Sequence, residues 1–152
     1  MTESARWTNK KYGGYHTRET LEDDVDSTRV GPTQPCGEYM RRFWFPVAMT
    51  EQLGERPVPI RILGEDLVIF RDLSGNIGLL HRHCSHRRMS LEYGRIEQHG
   101  IRCAYHGWQF DADGVILDTP GKPADSNIKE KICPGEYPIY ASKGMVFAYM
   151  GQ

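Results

Sequence analysis

Apolar residues in this chain come in short bursts, and the bursts begin only past its first quarter. Residues 1–34, MTESARWTNKKYGGYHTRETLEDDVDSTRVGPTQ, mix charges, Gly and small polar side chains with no apolar stripe of helical or strand period. The pattern predicts a polar N-terminal arm over 1–34 and a folded domain over 35–152. The stretch CGEYMRRFWFPVAM (36–49) opens as a short helix that Pro46 ends, and the apolar mix from Phe43 to Met49 reads as a strand. Eight apolar segments follow: Val58–Leu63, Leu67–Phe70, Ile77–Leu80, Gly100–Ala104, Gly107–Phe110, Val115–Leu117, Tyr137–Tyr140 and Gly144–Met150. Turn-forming residues separate most of them, at Gly64-Glu65-Asp66, Ser74-Gly75-Asn76, His99-Gly100 and Ala112-Asp113-Gly114. Strands this short, with a turn about every eight to twelve residues, predict an all-β fold, a sandwich or small barrel. Residues 120–138, with four prolines and many charges, predict a long surface loop with one helical turn near Ser126–Lys131.

Composition narrows the class. In 152 residues, 39% hydrophobic and 11% aromatic side chains suffice for one modest core. Nineteen Lys and Arg against twenty Asp and Glu leave no field to steer the chain to nucleic acid or an anionic membrane. No run approaches the ~18 apolar residues of a membrane helix, and no export signal opens the chain. A soluble, cytoplasmic protein is expected, whose four cysteines stay as thiols or metal ligands.

The stretch 81–108, HRHCSHRRMSLEYGRIEQHGIRCAYHGW, carries the candidate chemistry. Cys84-x-His86 is followed, after sixteen residues, by Cys103-x-x-His106. Each pair falls at the end of a predicted strand, so two hairpin tips can face each other across one metal centre. Two Cys and two His also suit a structural zinc ion, although zinc fingers usually place their histidines together on a helix, and none is predicted here. His81 and His83, one step away, read as strand-end or supporting residues, and His99 as a solvated turn residue; His16 carries no signal. Trp108 reads as core, packed against the second hairpin. Cys36 and Cys133 have no histidine within fifteen residues and read as small buried hydrophobes with free thiols. Asp111, Asp113 and Gly114 read as a hairpin turn rather than a calcium loop.

The spacing Cys84-x-His86 … Cys103-x-x-His106 resembles the Rieske motif and matches it at all four ligand positions. The surroundings Cys-Ser-His-Arg, Tyr-Gly-Arg-Ile-Glu and Gly-Ile-Arg-Cys-Ala-Tyr-His-Gly-Trp-Gln-Phe-Asp resemble the N-terminal domain of Rieske non-heme iron oxygenases. Val30-Gly31-Pro32, the run from Gly37 to Trp44 and Gly64-Glu65-Asp66-Leu67-Val68 resemble the phthalate-dioxygenase-like group in particular. The resemblance covers residues 28–152. It implies antiparallel Rieske-type sheets holding a [2Fe-2S] cluster between two hairpin loops, with two thiolates on one iron and two imidazoles on the other. Such a cluster is formally neutral when oxidised, which favours uptake of one electron, on the histidine-bound iron.

Two positions depart from the family pattern: Arg88 stands where Gly is usual, and Ala104 where Pro is usual. High-potential Rieske proteins resemble this chain around the second pair but carry Ser and Tyr hydroxyls where Trp108 and Phe110 stand, and a disulfide where Met89 and Tyr105 stand. The resemblance further implies a reductase or ferredoxin as electron donor, the catalytic domain of an oxygenase as acceptor, and a homotrimer for the full oxygenase. The acceptor's mononuclear iron uses two His and one carboxylate. All six histidines here lie at or before residue 106, so the chain is expected to pass electrons and not to hydroxylate. A separate Rieske ferredoxin and a zinc-stabilised interaction module are the alternatives.

Overall fold

Strand β3 (Glu65–Arg71) owes its central place to four consecutive apolar residues. Leu67, Val68, Ile69 and Phe70 are all fully buried, and because successive side chains point to opposite faces, a strand of this kind needs cover on both. The computed structural model describes residues 22–123 and 126–151 and supplies both covers. β3 lies between β2 (Val58–Ile62) and β4 (Ile77–His81) in a three-stranded antiparallel sheet. On one side Leu67, Ile69 and Leu79 pack with Val146, Ala148 and Met150. The strands there are β1 (Trp44–Met49), β9 (Ile139–Ser142) and β10 (Met145–Tyr149), paired in the order β1-β10-β9. On the other side Val68, Phe70 and Leu80 pack with Cys84, Leu91, Ile101, Cys103, Trp108, Phe110 and Ile116. Those belong to a four-stranded sheet of very short strands and its loops: β5 (Arg95–Ile96), β6 (Ile101–Arg102), β7 (Gln109–Phe110) and β8 (Ile116–Asp118).

The fold is thus all-β with antiparallel sheets, as expected, and helices are short: α1 (Val25–Thr28), α2 (Pro35–Met40) and α3 (Ile128–Lys131). Of the polar arm, 1–21 lies outside the described residues. Helix α2 ends at Met40, well before Pro46, so the proline is not what stops it; its Arg41 cap turns inward instead. There the buried Arg41 guanidinium meets Glu65 at 2.6 Å and donates to the Leu63 carbonyl at 2.8 Å, pinning the helix to β3. Among the described residues no helix is long and apolar enough to cross a membrane.

Strand limits shift where turn chemistry and loop geometry override apolar runs. Glu65 and Asp66, read as turn residues, belong to β3, because the turn is the two-residue Leu63-Gly64 with φ of 46° and 79°. Two left-handed residues give the hairpin twist that matches the strands, and Leu63 tucks its side chain into the core. The segments expected at 100–104 and 107–110 shrink to two residues each because a loop between them takes the rest. Around Asp111 the turn reading holds: its Oδ1 accepts from the N–H groups of Asp113 at 3.0 Å and Val115 at 2.7 Å.

Candidate metal centre

Two loops of one form carry the four candidate ligands. The first follows β4, and the second joins β6 to β7. In each, the cysteine N–H donates to the carbonyl five residues on: Cys84 to Met89 at 2.9 Å, and Cys103 to Trp108 at 2.8 Å. In each, the cysteine carbonyl accepts from the N–H four residues on, Arg88 at 2.8 Å and Gly107 at 3.1 Å. A turn that closes this way places its last residue in the left-handed region, and φ is 59° at Arg88 and 72° at Gly107. The loops therefore repeat one backbone, with histidine at the second step in one and at the third in the other.

That repetition gathers like with like. Cys84 and Cys103 are buried, at 2% and 4% exposure, and belong to one core cluster. His86 is half-buried and His106 exposed, with ring centroids 4.7 Å apart and edge to face. Trp108, buried as expected, lies flat against His86 at 4.5 Å with the planes 1° from parallel; Tyr105 covers the His106 ring at 3.8 Å. Thiols point inward and imidazoles sit at the surface.

Electrostatics follows from that burial. Burial pushes the Cys84 thiol up to about 11, the neighbouring Cys103 adds to the rise, and the backbone N–H groups of His86 and Arg87 oppose it. His86 is held below the ordinary histidine range by its burial and then by its neighbours His106, Lys122 and Arg87. Buried thiols and a pair of imidazoles are the donors a [2Fe-2S] cluster of this kind takes, two per iron. The buried Ser85 Oγ and Trp108 Nε1 also lack protein partners, and sulfide-bearing groups accept from such donors. The residues fit the cluster.

A family model for the Rieske [2Fe-2S] domain matches residues 43–140, a span that contains both loops. This chain belongs to the Rieske [2Fe-2S] domain family. Rieske domains carry a [2Fe-2S] cluster and act in electron transfer. Relatives are named as oxygenase subunits. The tert-butanol monooxygenase / tert-amyl alcohol desaturase oxygenase subunit of Aquincola tertiaricarbonis is 50% identical over 143 residues, covering 92% of this chain and 30% of that protein. The phthalate 4,5-dioxygenase oxygenase subunit of Pseudomonas putida is 44% identical over 135 residues, covering 87% and 31%. The chain thus spans about a third of the length of the curated relatives it matches. Among solved structures, NdmA of Pseudomonas putida CBB5 superposes with a TM-score of 0.67 at 28% identity, covering 74% of this chain and 36% of that one. Dicamba monooxygenase superposes with a TM-score of 0.68 at 24% identity, covering 76% and 36%, and speaks to the fold alone.

Against the Rieske pattern, the side chains left out of the ligand set fall as follows. His81 ends β4, with its Nε2 3.5 Å from Glu65 and its ring stacked on Tyr137. His83 bonds the Arg88 carbonyl. His99 is exposed in its turn beside Ser74, and His16 lies outside the described residues. Cys36 and Cys133 are free, but neither is buried as expected: Cys36 in α2 is partly exposed, and Cys133 is exposed because it sits in the proline-bounded loop that lies over the surface.

Arg88 holds a left-handed backbone in the place where Rieske chains usually carry Gly. Such a conformation costs an L side chain about 1–2 kcal/mol, while glycine adds about 0.5–1 kcal/mol of unfolded-chain freedom. Arg88→Gly is therefore expected to stabilise the fold by about 0.5–1 kcal/mol in thermal unfolding. A clear loss of stability instead would mean that the Arg88 side chain compensates for its backbone.

Proposed function

We propose that this chain is the electron-carrying part of an aromatic-ring-hydroxylating oxygenase acting in the cytoplasm, with 1–34 as an arm and 35–152 as the Rieske domain. In this reading Cys84 and Cys103 hold one iron and His86 and His106 the other. The observation that carries it is the sorting of donors by the two matching loops: both thiols inside, both imidazoles outside and 4.7 Å apart. The bound cluster supplies a site for one electron at a time, favouring the histidine-bound iron.

The chain's own residues do the rest. Buried Cys84 and Cys103 keep water from the inner iron. Trp108, flat against His86, fixes that ring's plane, and the partly exposed His86 and exposed His106 rings would offer their outer N–H groups to an acceptor. Electrons arrive from a reductase or ferredoxin and leave through the histidines to a mononuclear iron in an oxygenase catalytic domain, which in a homotrimer belongs to a neighbouring subunit. Support for the oxygenase rather than a separate ferredoxin comes from relatives about three times as long, all named as oxygenase subunits. One of those names carries tert-butanol and another phthalate, so the aromatic substrate class rests on the resemblance to the phthalate-dioxygenase-like group.

All six histidines of the sequence lie at or before residue 106, so none follows the second loop to serve a mononuclear iron of the two-His, one-carboxylate kind. The purified 152-residue chain, loaded with its cluster, is expected to take up one electron from a reductase and to consume no oxygen with any aromatic substrate, as followed by an oxygen electrode. Stoichiometric hydroxylated product from the chain alone would reveal a catalytic site within it and overturn this division of labour.

A further inference from the structure

The residue before each cysteine reaches across its own loop. His83 Nδ1 lies 3.1 Å from the Arg88 carbonyl oxygen; a carbonyl only accepts, so this nitrogen carries the proton. In the second loop Arg102 Nη1 donates to the Gly107 carbonyl at 2.6 Å. Arg88 and Gly107 are the residues that close the two turns, so chemically different side chains make the same bond at the same step of both.

What stands behind the two bonds differs. His83 makes that one side-chain hydrogen bond among the described residues. Arg102 Nη1 also donates to Asp118 Oδ2 at 2.8 Å, its Nε to Glu97 Oε1 at 3.1 Å, and its Nη2 to Gln109 Oε1. Gln109 is fixed in turn by its amide on the His99 carbonyl at 2.7 Å, and Glu97 by Arg95 at 2.7 Å. One planar fork thus joins the end of β5, strands β7 and β8, and the ligand loop, a geometry the single point charge of lysine does not reproduce. Its charge is matched by Glu97 and Asp118, so it acts on the loop through position rather than as a free charge on the metal.

We infer that His83 and Arg102 are latches for the two ligand loops, and that Arg102 is a positioning residue for His106. The inference rests on His106 being a ligand. Gly107 follows His106 directly, so pinning the Gly107 carbonyl fixes the peptide plane beside the ligand. Nothing in the Cys-x-x-His spacing marks Arg102.

Amide hydrogen exchange reads each latch at the N–H that closes its turn, whatever occupies the centre. Arg102→Met is expected to speed exchange at Gly107 about tenfold, the size of one lost charge-assisted hydrogen bond, and to leave Arg88 unchanged; His83→Phe is expected to do the reverse, more weakly. Arg95→Ala, which removes only an exposed partner of Glu97, is expected to move neither. In the loaded protein, Arg102→Met is expected to broaden the EPR line of the reduced cluster, with Arg102→Lys failing to restore it. Should Arg102→Met not fold, Asp118→Asn keeps the guanidinium but loses one anchor, and a smaller acceleration at Gly107 alone is expected. Unchanged exchange at Gly107, equal acceleration at both amides, or full restoration by lysine would overturn the inference. Absence of iron from the wild type would defeat the ligand assignment instead, and the exchange rates would still decide the latch.

Discussion

Replacing Cys103 by serine, or His106 by alanine, is expected to leave a protein without iron and without its red-brown colour, and the same holds for Cys84→Ser and His86→Ala. Each loop holds its candidate ligands on a backbone closed by hydrogen bonds between the cysteine and residues four and five steps on, a fixed frame that a shortened or neutral side chain does not refill. The nearest other histidine, His83, has its ring oriented by its Nδ1 bond to the Arg88 carbonyl across its own loop. Because Cys84 and Cys103 belong to the same buried cluster as Phe70, Trp108 and Phe110, binding at them contributes directly to folding, and a lower melting temperature is expected with the loss of iron. Burial raises the free Cys84 thiol, so loading the cluster releases a proton from it. Reassembly of the cluster-free protein is therefore expected to be favoured as pH rises and disfavoured as it falls. Cys36→Ser and Cys133→Ser, away from the loops, are expected to keep the colour. Iron content and the visible spectrum decide, and full iron retention in any one of the four ligand variants would contradict the assignment.

The second large effect concerns the reduction potential. Rieske centres span roughly −150 to +300 mV, and hydrogen bonds to sulfur raise the potential by stabilising the extra negative charge of the reduced state. Backbone donors, such as the His86 and Arg87 N–H groups near the Cys84 sulfur, come with the loop form. Differences between chains then lie in side-chain donors. The two positions that resemble the hydroxyl-bearing ones of high-potential Rieske proteins are Trp108 and Phe110, both buried, and neither offers a hydroxyl. Met89 and Tyr105 likewise provide no disulfide. A midpoint near the lower end of the range is expected in voltammetry. Phe110→Tyr is expected to raise it by tens of millivolts, about the effect of one ~1 kcal/mol hydrogen bond on a one-electron couple. A wild-type midpoint well above zero would mean that donors other than hydroxyls at 108 and 110 dominate, either the backbone N–H groups or the unpartnered Ser85 Oγ and Trp108 Nε1.

Much of this was legible before any coordinates. The buried run Leu67–Phe70 and the turn residues around Gly75 and Gly114 carried the antiparallel fold, because both depend on local chemistry that a sequence displays. The spacing of Cys84, His86, Cys103 and His106 marked the candidate ligands, because their order is written in the sequence whatever the loops do. What escaped was set by tertiary partners. Leu63 reads as strand, yet it takes a left-handed turn position because its side chain has a core to enter. Helix α2 stops at Met40 because Arg41 turns in to Glu65, a residue far along the chain. Arg102 gathers Glu97, Gly107, Gln109 and Asp118, and no periodicity announces such a meeting. The departure at Arg88 was visible only as a missing glycine, and its positive φ gives the physical reason glycine suits that place.

The central claim, that two matched loops hold a two-iron centre with thiolates inside and imidazoles outside, is tested most directly by EPR of the dithionite-reduced protein together with its iron and acid-labile sulfide content. Iron and sulfide in equal amounts are expected, with an anisotropic signal from a mixed-valence iron pair and hyperfine coupling to nitrogen from His86 and His106. A colourless, EPR-silent protein containing one zinc ion per chain would contradict it.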